Sequence, residues 1–288
     1  MPIAATGDLI AAAAAQRTAV AAFNVITLEH AEAIAEGAEA AGTPVILQIS
    51  ENAVAYHGGR PRPLARAAAE VAEAAAVPVS LHLDHVQSTE LLHRAADCGF
   101  SSAMFDAARL SYAENLTTTR AAVVWAHENG LWLEAELGQV GGKNGQAPLD
   151  AHAPGARTDP EEARSFVAAT GVDALAVAVG TSHAMTSRDA RVDHELLGRL
   201  RQAVPVPLVL HGSSGASDEE LARAVSGGIA KVNIGTALNI AMTGAIRERL
   251  AQDARGVDPR AYLAQGRDAM ARAVTRLISV LPRTVAAV

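Results

Sequence analysis

Short runs of apolar, often β-branched residues alternate with longer Ala-rich stretches of helical spacing, and the rhythm persists almost to the end of the chain. Short apolar runs bounded by turn residues read as buried strands, while apolar positions recurring every three to four residues read as amphipathic helices. The pattern predicts strands at 21–25 (AAFNV), 44–50 (PVILQIS), 78–85 (PVSLHLDH), 101–107 (SSAMFDA), 131–138 (LWLEAELG), 174–180 (ALAVAVG), 207–212 (PLVLHG) and 230–235 (AKVNIG). Between them lie helical stretches such as LEHAEAIAEGAEAAG, STELLHRAADCG, DPEEARSFVAATG and SDEELARAVSGG, several opened by Ser, Asp or Thr and closed by Gly. Alternating strands and helices mean parallel strands with crossover connections. Eight such units in about 240 residues fit a closed (β/α)₈ TIM barrel better than an open doubly wound sheet, whose six or so strands would leave units unused. The fold class is therefore α/β, a TIM barrel with an extra C-terminal helix from about Asp258. No break in composition divides residues 1–288, which are expected to form a single barrel domain.

Composition narrows the function classes. The chain has 288 residues, half of them hydrophobic, enough for a large core. Its net charge of -7 argues against nucleic acid as a partner, because such a surface needs clustered Lys and Arg to replace counterions. The one cysteine, Cys98, excludes an internal disulfide framework and reads as a small buried residue. The start, MPIAATGDLIAAAAAQRTAV, lacks the basic n-region of a signal peptide, and no long apolar stretch escapes charge, Gly or Pro. No membrane partner is expected, and the cytoplasm is the expected compartment. Ala-rich helices around the barrel leave surface for a homo-oligomer, a dimer or tetramer.

In a barrel of this kind the active site is built from C-terminal strand ends and the loops after them. Polar residues gather there: Asn24, Ser50, Asp84 and His85, Asp106, Glu134 and Glu136, His183, His211 and Asn233, on strands one to eight in turn. Three histidines converging on one mouth, His85, His183 and His211, make a nitrogen set suited to a catalytic Zn²⁺ with positions open for substrate oxygens. The other histidines, His82 among them, read as structural or solvent-exposed. Adjacent strand residues point to opposite faces, so for both Asp84 and His85 to reach one centre the strand is expected to end there. His85 then serves as ligand and Asp84 as the carboxylate for proton transfer. The small residues Gly212, Ser213 and Ser214 after strand seven, and Asn233, Ile234, Gly235 and Thr236 after strand eight, sit where barrel enzymes hold phosphate by backbone N–H groups. A net acidic protein can bind an anion in this way.

With these residues in view, the chain resembles the class II, zinc-dependent aldolases of fructose and tagatose bisphosphate over roughly residues 5–250. AFNV, HLDH, MFDA, EAELGQVGG, VGTSH, LVLHGSSG and KVNIGT carry the resemblance in order. It implies one catalytic zinc on His85, His183 and His211, and Asp84 as the acid/base. It implies that Asp106 and Glu136 flank alternative metal positions, with room for a second divalent or monovalent cation. It further implies a small phosphorylated sugar as substrate, its dihydroxyacetone phosphate half held by Gly212, Ser213, Ser214 and residues 233–236, with Asn24 and Ser50 nearby. The bottom-up chemistry agrees: cleaving a carbon–carbon bond beside a ketone needs an electron sink, which a Lewis-acid metal supplies. A lysine Schiff base is the alternative sink. Only two lysines exist, Lys143 in a loop and Lys231 early in strand eight, and Lys231 reads as structural near a barrel end.

The chain departs from the family pattern in three places. Lys143 and Asn144 stand after the GG of the strand-five loop where an acidic residue is usual, with Asp150 a candidate replacement. Ala184 replaces a glycine after the zinc histidine, and Gly235 replaces an acidic residue. The leading expectation is a metal-dependent aldolase of a ketose 1,6-bisphosphate. The alternatives are an aldolase, isomerase or epimerase acting on another phosphorylated sugar or deoxysugar acid, and a non-catalytic phosphosugar-binding barrel.

Overall fold

The computed structural model describes residues 3–138, 140, 156–183 and 185–281. All eight expected strands form. In chain order the elements are α1 (Thr6–Ala15), β1 (Val20–Asn24), α2 (Leu28–Ala41), β2 (Val45–Ser50), α3 (Glu51–Tyr56), α4 (Pro61–Ala74), β3 (Val79–Val86), α5 (Thr89–Leu92), α6 (Ala95–Cys98) and β4 (Ser102–Phe105). They continue with α7 (Tyr112–Glu128), β5 (Trp132–Leu137), α8 (Pro160–Thr170), β6 (Ala174–Val177), α9 (His194–Ala203), β7 (Leu208–Leu210), α10 (Asp218–Gly227), β8 (Ile229–Ile234), α11 (Thr236–Gln252) and α12 (Pro259–Val280). Each strand pairs in parallel with the next, and β8 pairs with β1, so the sheet closes into a barrel. The expected fold class, a TIM barrel with a C-terminal helix, is the fold observed.

Helix starts follow the caps written in the sequence. Ser111 and Glu114 form a reciprocal capping box on α7, and Asp159 accepts from the N–H groups of Glu161 and Glu162 ahead of Pro160 on α8. The stretch STELLHRAADCG, expected as one helix, forms the two single turns α5 and α6 instead, the chain bending where His93 packs on Trp125.

Strand residues alternate between two environments. Outward side chains such as Phe23, Leu47, Leu83 and Ile234 pack with the Ala-rich helix faces in one large core. Burying each Leu, Ile or Phe there contributes roughly 1.5–3 kcal/mol. Inward, Val20, Ala22 and Ile46 meet Ile10 and Ala13 of α1, which closes the N-terminal end of the barrel. Met104, Ala174, Ala176 and Val209 fill part of the interior. Polar side chains occupy the rest of that interior. Among the described residues no helix is long and apolar enough to cross a membrane.

Candidate active site and metal centre

Strand register decides which side chains reach the barrel mouth. Asn24 pairs with Gln48, Gln48 with His82, and Ser50 with Asp84, so these residues share the inner face of β1, β2 and β3. Between β3 and β4 the register slips: Leu83 pairs with Ala103 and Val86 with Phe105, so two residues of β3 oppose the single Met104. This is a one-residue bulge. His85 takes φ +50°, a left-handed conformation uncommon outside glycine. Leu83 and Val86 still face the helices, and Asp84 and His85 both turn into the barrel. The strand therefore does not end at this point, as the sequence alone had implied; β3 runs on to Val86, and a bulge meets the two-faces problem instead.

The three histidines meet. Ring centroids of His85 lie 4.9 Å from His183 and 4.7 Å from His211, and His183 lies 5.7 Å from His211. One ligand nitrogen from each falls within 4.8 Å of the other two. His85 Nε2 and His211 Nδ1 stand 3.0 Å apart, close to the edge of about 3.3 Å that a tetrahedron of Zn–N bonds of about 2.0–2.1 Å requires. The donor set thus fits a borderline cation such as Zn²⁺. Asp106 Oδ2 accepts from His85 Nδ1 at 2.9 Å and orients that ring. Asp106, Glu136 and His85 also bring ligand atoms within 4.8 Å of one another, a second group able to hold a cation.

Asp84 is buried beside this cluster, one carboxylate oxygen 3.9 Å from His85 Nε2 and the other 3.4 Å from the Asn233 amide nitrogen, which donates to it. Below it, His82 Nε2 lies 3.8 Å from Asp84. Burial, and after it the ammonium of Lys231, hold His82 well below its ordinary pKa, so its ring is neutral.

The remaining expected residues border a cavity of about 370 Å³ at the mouth, lined by Asn24, Ser50, Gly212, Ser214, Gly235 and Thr236 as well as Asp84, His85 and His183. Ser50 also caps α3, accepting from the Ala53 N–H at 3.2 Å. Ser214 accepts from the Ala237 N–H at 3.3 Å and ties the strand-seven loop to the start of α11. Gly212 adopts φ +66°, and a Cβ there would meet the Ser182 backbone at 2.6 Å, so the β6 and β7 loops touch through it. Two residues point elsewhere. The Ser213 hydroxyl donates to the Asn233 carbonyl, and the Ile234 side chain faces the helix layer, so neither side chain borders the cavity. Lys143, Asn144, Asp150 and Ala184 lie outside the described residues.

Sequence reasoning placed Glu134 among the mouth residues without giving it a role, and passed over Gln48. Glu134 Oε1 lies 2.8 Å from His211 Nε2, and its Oε2 lies 2.6 Å from Lys231 Nζ. Lys231, read as structural near a barrel end, stands level with Val20 at the start of β1 and is fully buried, its Nζ 3.3 Å from His82 Nε2. Gln48 lines the cavity, and its Oε1 and Asn233 Oδ1 are buried without a hydrogen-bond partner among the described residues, which offers two acceptors to ligand hydroxyls. The available signal was charge in an apolar strand: a core Glu or Lys is nearly always paired.

A family model for class II fructose-bisphosphate aldolase matches residues 4–284. The crystal structure of the YdjI aldolase from Escherichia coli K12 is 33% identical, covers 96% of each chain and superposes with a TM-score of 0.82. The fructose-bisphosphate aldolase of Campylobacter jejuni, at 24% identity, 95% of this chain, 93% of that one and a TM-score of 0.81, shares the fold.

Proposed function

Because the chain belongs to the class II fructose-bisphosphate aldolase family, we propose that it is a zinc-dependent aldehyde-lyase that reversibly cleaves a ketose 1,6-bisphosphate, fructose or tagatose, to dihydroxyacetone phosphate and an aldehyde. One observation carries the metal part of this reading: three imidazoles meet at the barrel mouth, two of their nitrogens 3.0 Å apart, with a buried carboxylate alongside. His85, His183 and His211 would hold the zinc. When bound, it supplies a Lewis acid that polarises the ketone.

The chain's own residues do the rest. Asp84 takes the proton from the C4 hydroxyl as the C3–C4 bond breaks, C4 leaves as the aldehyde carbonyl, and the bond's electron pair passes into the enediolate of the ketose half. In the reverse direction Asp84 returns that proton to the new alkoxide. Asn233 steadies Asp84 through its amide at 3.4 Å. The backbone N–H groups of Gly212, Ser213 and Ser214 and of the first turn of the 17-residue α11, from Thr236, suit the phosphate of the ketose half. Asn24, Ser50 and Asn233 offer hydrogen bonds to its hydroxyls. Asp106 and Glu136 suit a second cation beside His85.

A second reading, an aldolase or isomerase of another phosphorylated sugar, draws on a different observation. None of the described residues lining the cavity is Lys or Arg, which leaves a second phosphate without a cationic side chain among them.

The test is zinc content measured together with cleavage of fructose 1,6-bisphosphate and tagatose 1,6-bisphosphate, with and without chelator. Chelator-sensitive cleavage of either sugar supports the first reading. Bound zinc with neither sugar cleaved moves the search to the second, and full activity in metal-free protein sinks both metal readings.

A further inference from the structure

We infer that Glu134 and Lys231 are a buried positioning pair that fixes which nitrogen of His211 faces the metal site, and thereby sets the site's affinity for its cation. The inference rests on the metal reading above.

A carboxylate only accepts hydrogen bonds, so the 2.8 Å contact between Glu134 Oε1 and His211 Nε2 puts the ring hydrogen on Nε2. Nδ1 is then the lone-pair nitrogen, and it is Nδ1 that lies 3.0 Å from His85 Nε2. Asp106 does the same for His85 from the other side, 2.9 Å from Nδ1, which makes Nε2 the lone-pair nitrogen there. Two carboxylates, Glu134 on β5 and Asp106 just past the end of β4, thus present two imidazole lone pairs to one point. A histidine that donates its second N–H to a carboxylate is also a more basic ligand.

Glu134 is itself held. It is fully buried, and Lys231, equally buried, donates to its other oxygen at 2.6 Å. Lys231 has only donors, so at 3.3 Å it requires a lone pair on His82 Nε2, and the hydrogen of His82 sits on Nδ1. That N–H donates to Ser102 Oγ at 2.8 Å, Ser102 donates to Thr6 Oγ1 at 2.7 Å, and Thr6 donates to Ser80 Oγ at 3.1 Å. A continuous polar line therefore runs from α1, at the closed end of the barrel, to the metal cluster at its mouth. Turning over the His211 ring would leave Glu134 with one bond fewer inside a low-dielectric interior, where an unmet carboxylate is costly. Neither Glu134 nor Lys231 borders the cavity, so they act through His211 and not on substrate.

The experiment compares the full-length wild type with E134Q, K231M and the double variant E134L/K231M. The readouts are thermal melting, the Zn²⁺ dissociation constant by chelator competition, and the visible spectrum of the Co²⁺-loaded protein. E134Q keeps the shape and removes the charge, and a 10- to 100-fold weaker Zn²⁺ affinity is expected, the usual size of a lost carboxylate partner to a ligating histidine. K231M strands a buried carboxylate and should melt well below wild type. The double variant strands no charge and should regain much of that stability, yet keep the weakened affinity and an altered Co²⁺ spectrum.

A merely structural pair predicts the opposite, with affinity recovering as stability does. Wild-type Zn²⁺ affinity in E134Q, or in a stable double variant, overturns the inference and leaves the proposed function standing. If the double variant does not fold, E134Q decides alone. A wild-type chain that binds no divalent cation defeats the metal reading and this inference together.

Discussion

Replacing Gly212 by alanine tests whether contact between two loops holds the metal site in register. Gly212 follows His211, its φ is +66°, and an added Cβ would lie 2.6 Å from the carbonyl carbon and oxygen of Ser182 and 2.8 Å from its nitrogen. Ser182 immediately precedes His183. The left-handed backbone alone costs an L-residue roughly 1–2 kcal/mol. The overlap adds to this, because the obstructing atoms are backbone, and relieving it moves one loop by about 0.8 Å to restore contact near 3.4 Å. Overpacking of that kind costs about 1–3 kcal/mol, for a total of roughly 2–5 kcal/mol. At roughly 2 °C per kcal/mol for a chain of this size, the melting temperature should fall by about 4–10 °C. Gly42 supplies the control: its φ is +63° and nothing lies within 4 Å of its Cβ position, so Gly42→Ala carries the backbone cost without the overlap. A shift approaching 1 Å between His183 and His211 should also lower kcat/KM by on the order of 10²-fold. The assay is differential scanning calorimetry of both variants with zinc analysis and cleavage kinetics. If Gly212→Ala melts with Gly42→Ala and binds zinc as wild type does, the loop-contact reasoning is wrong.

Other substitutions probe the remaining parts. Asp84→Asn should retain zinc and the native melting temperature while kcat falls by about 10²–10⁴-fold, the usual share of an acid/base group; a small change would remove Asp84 from the proton transfer. His211→Ala should lose zinc and activity with the circular dichroism spectrum unchanged, and retained stoichiometric zinc would contradict its place in the ligand set. Ser50→Ala removes the cap of α3 and should cost about 1 kcal/mol of stability, with a raised KM if the hydroxyl also meets substrate. His82 is held well below its ordinary value of 6.5 by burial and then by Lys231, so the unfolded chain binds its proton first as pH falls. Its contribution is full above pH 6.5 and declines below it by up to about 1.4 kcal/mol per unit. The stability advantage of wild type over His82→Gln should therefore shrink from pH 7 to pH 5, and a flat difference would rule the reasoning out.

The strands and the histidine trio were legible because their signals are local: apolar runs, turn residues, and polar residues at strand ends. The bulge was not, because it is defined by pairing between β3 and β4, and no stretch of β3 read alone reveals which residue is extra. Lys231 and Glu134 were each visible as a charge in an apolar strand. They are 97 residues apart, and Lys231 and His82 are 149 apart, so only closure of the barrel makes them partners. Helix α1 went unread for another reason. Its alanine run, TGDLIAAAAA, carries little amphipathic pattern, and its place is set by the barrel end that Ile10 and Ala13 fill. Ser213 and Ile234 show the limit of reading a motif as a block: neighbours in one loop or strand end can serve packing and binding separately.

The extra residue in β3 has a consequence for anyone who reshapes this protein. Deleting one residue near His85 would give a smoother strand with unbroken pairing to β4, a form that backbone idealisation rewards. That tidier chain would leave Asp84 and the histidine on opposite sides of the sheet wall, one in the barrel and one against the helices. Selection for regularity alone would thus erase the site while leaving the barrel intact, and a library screened only for stability should accumulate such deletions with no sign of what was lost.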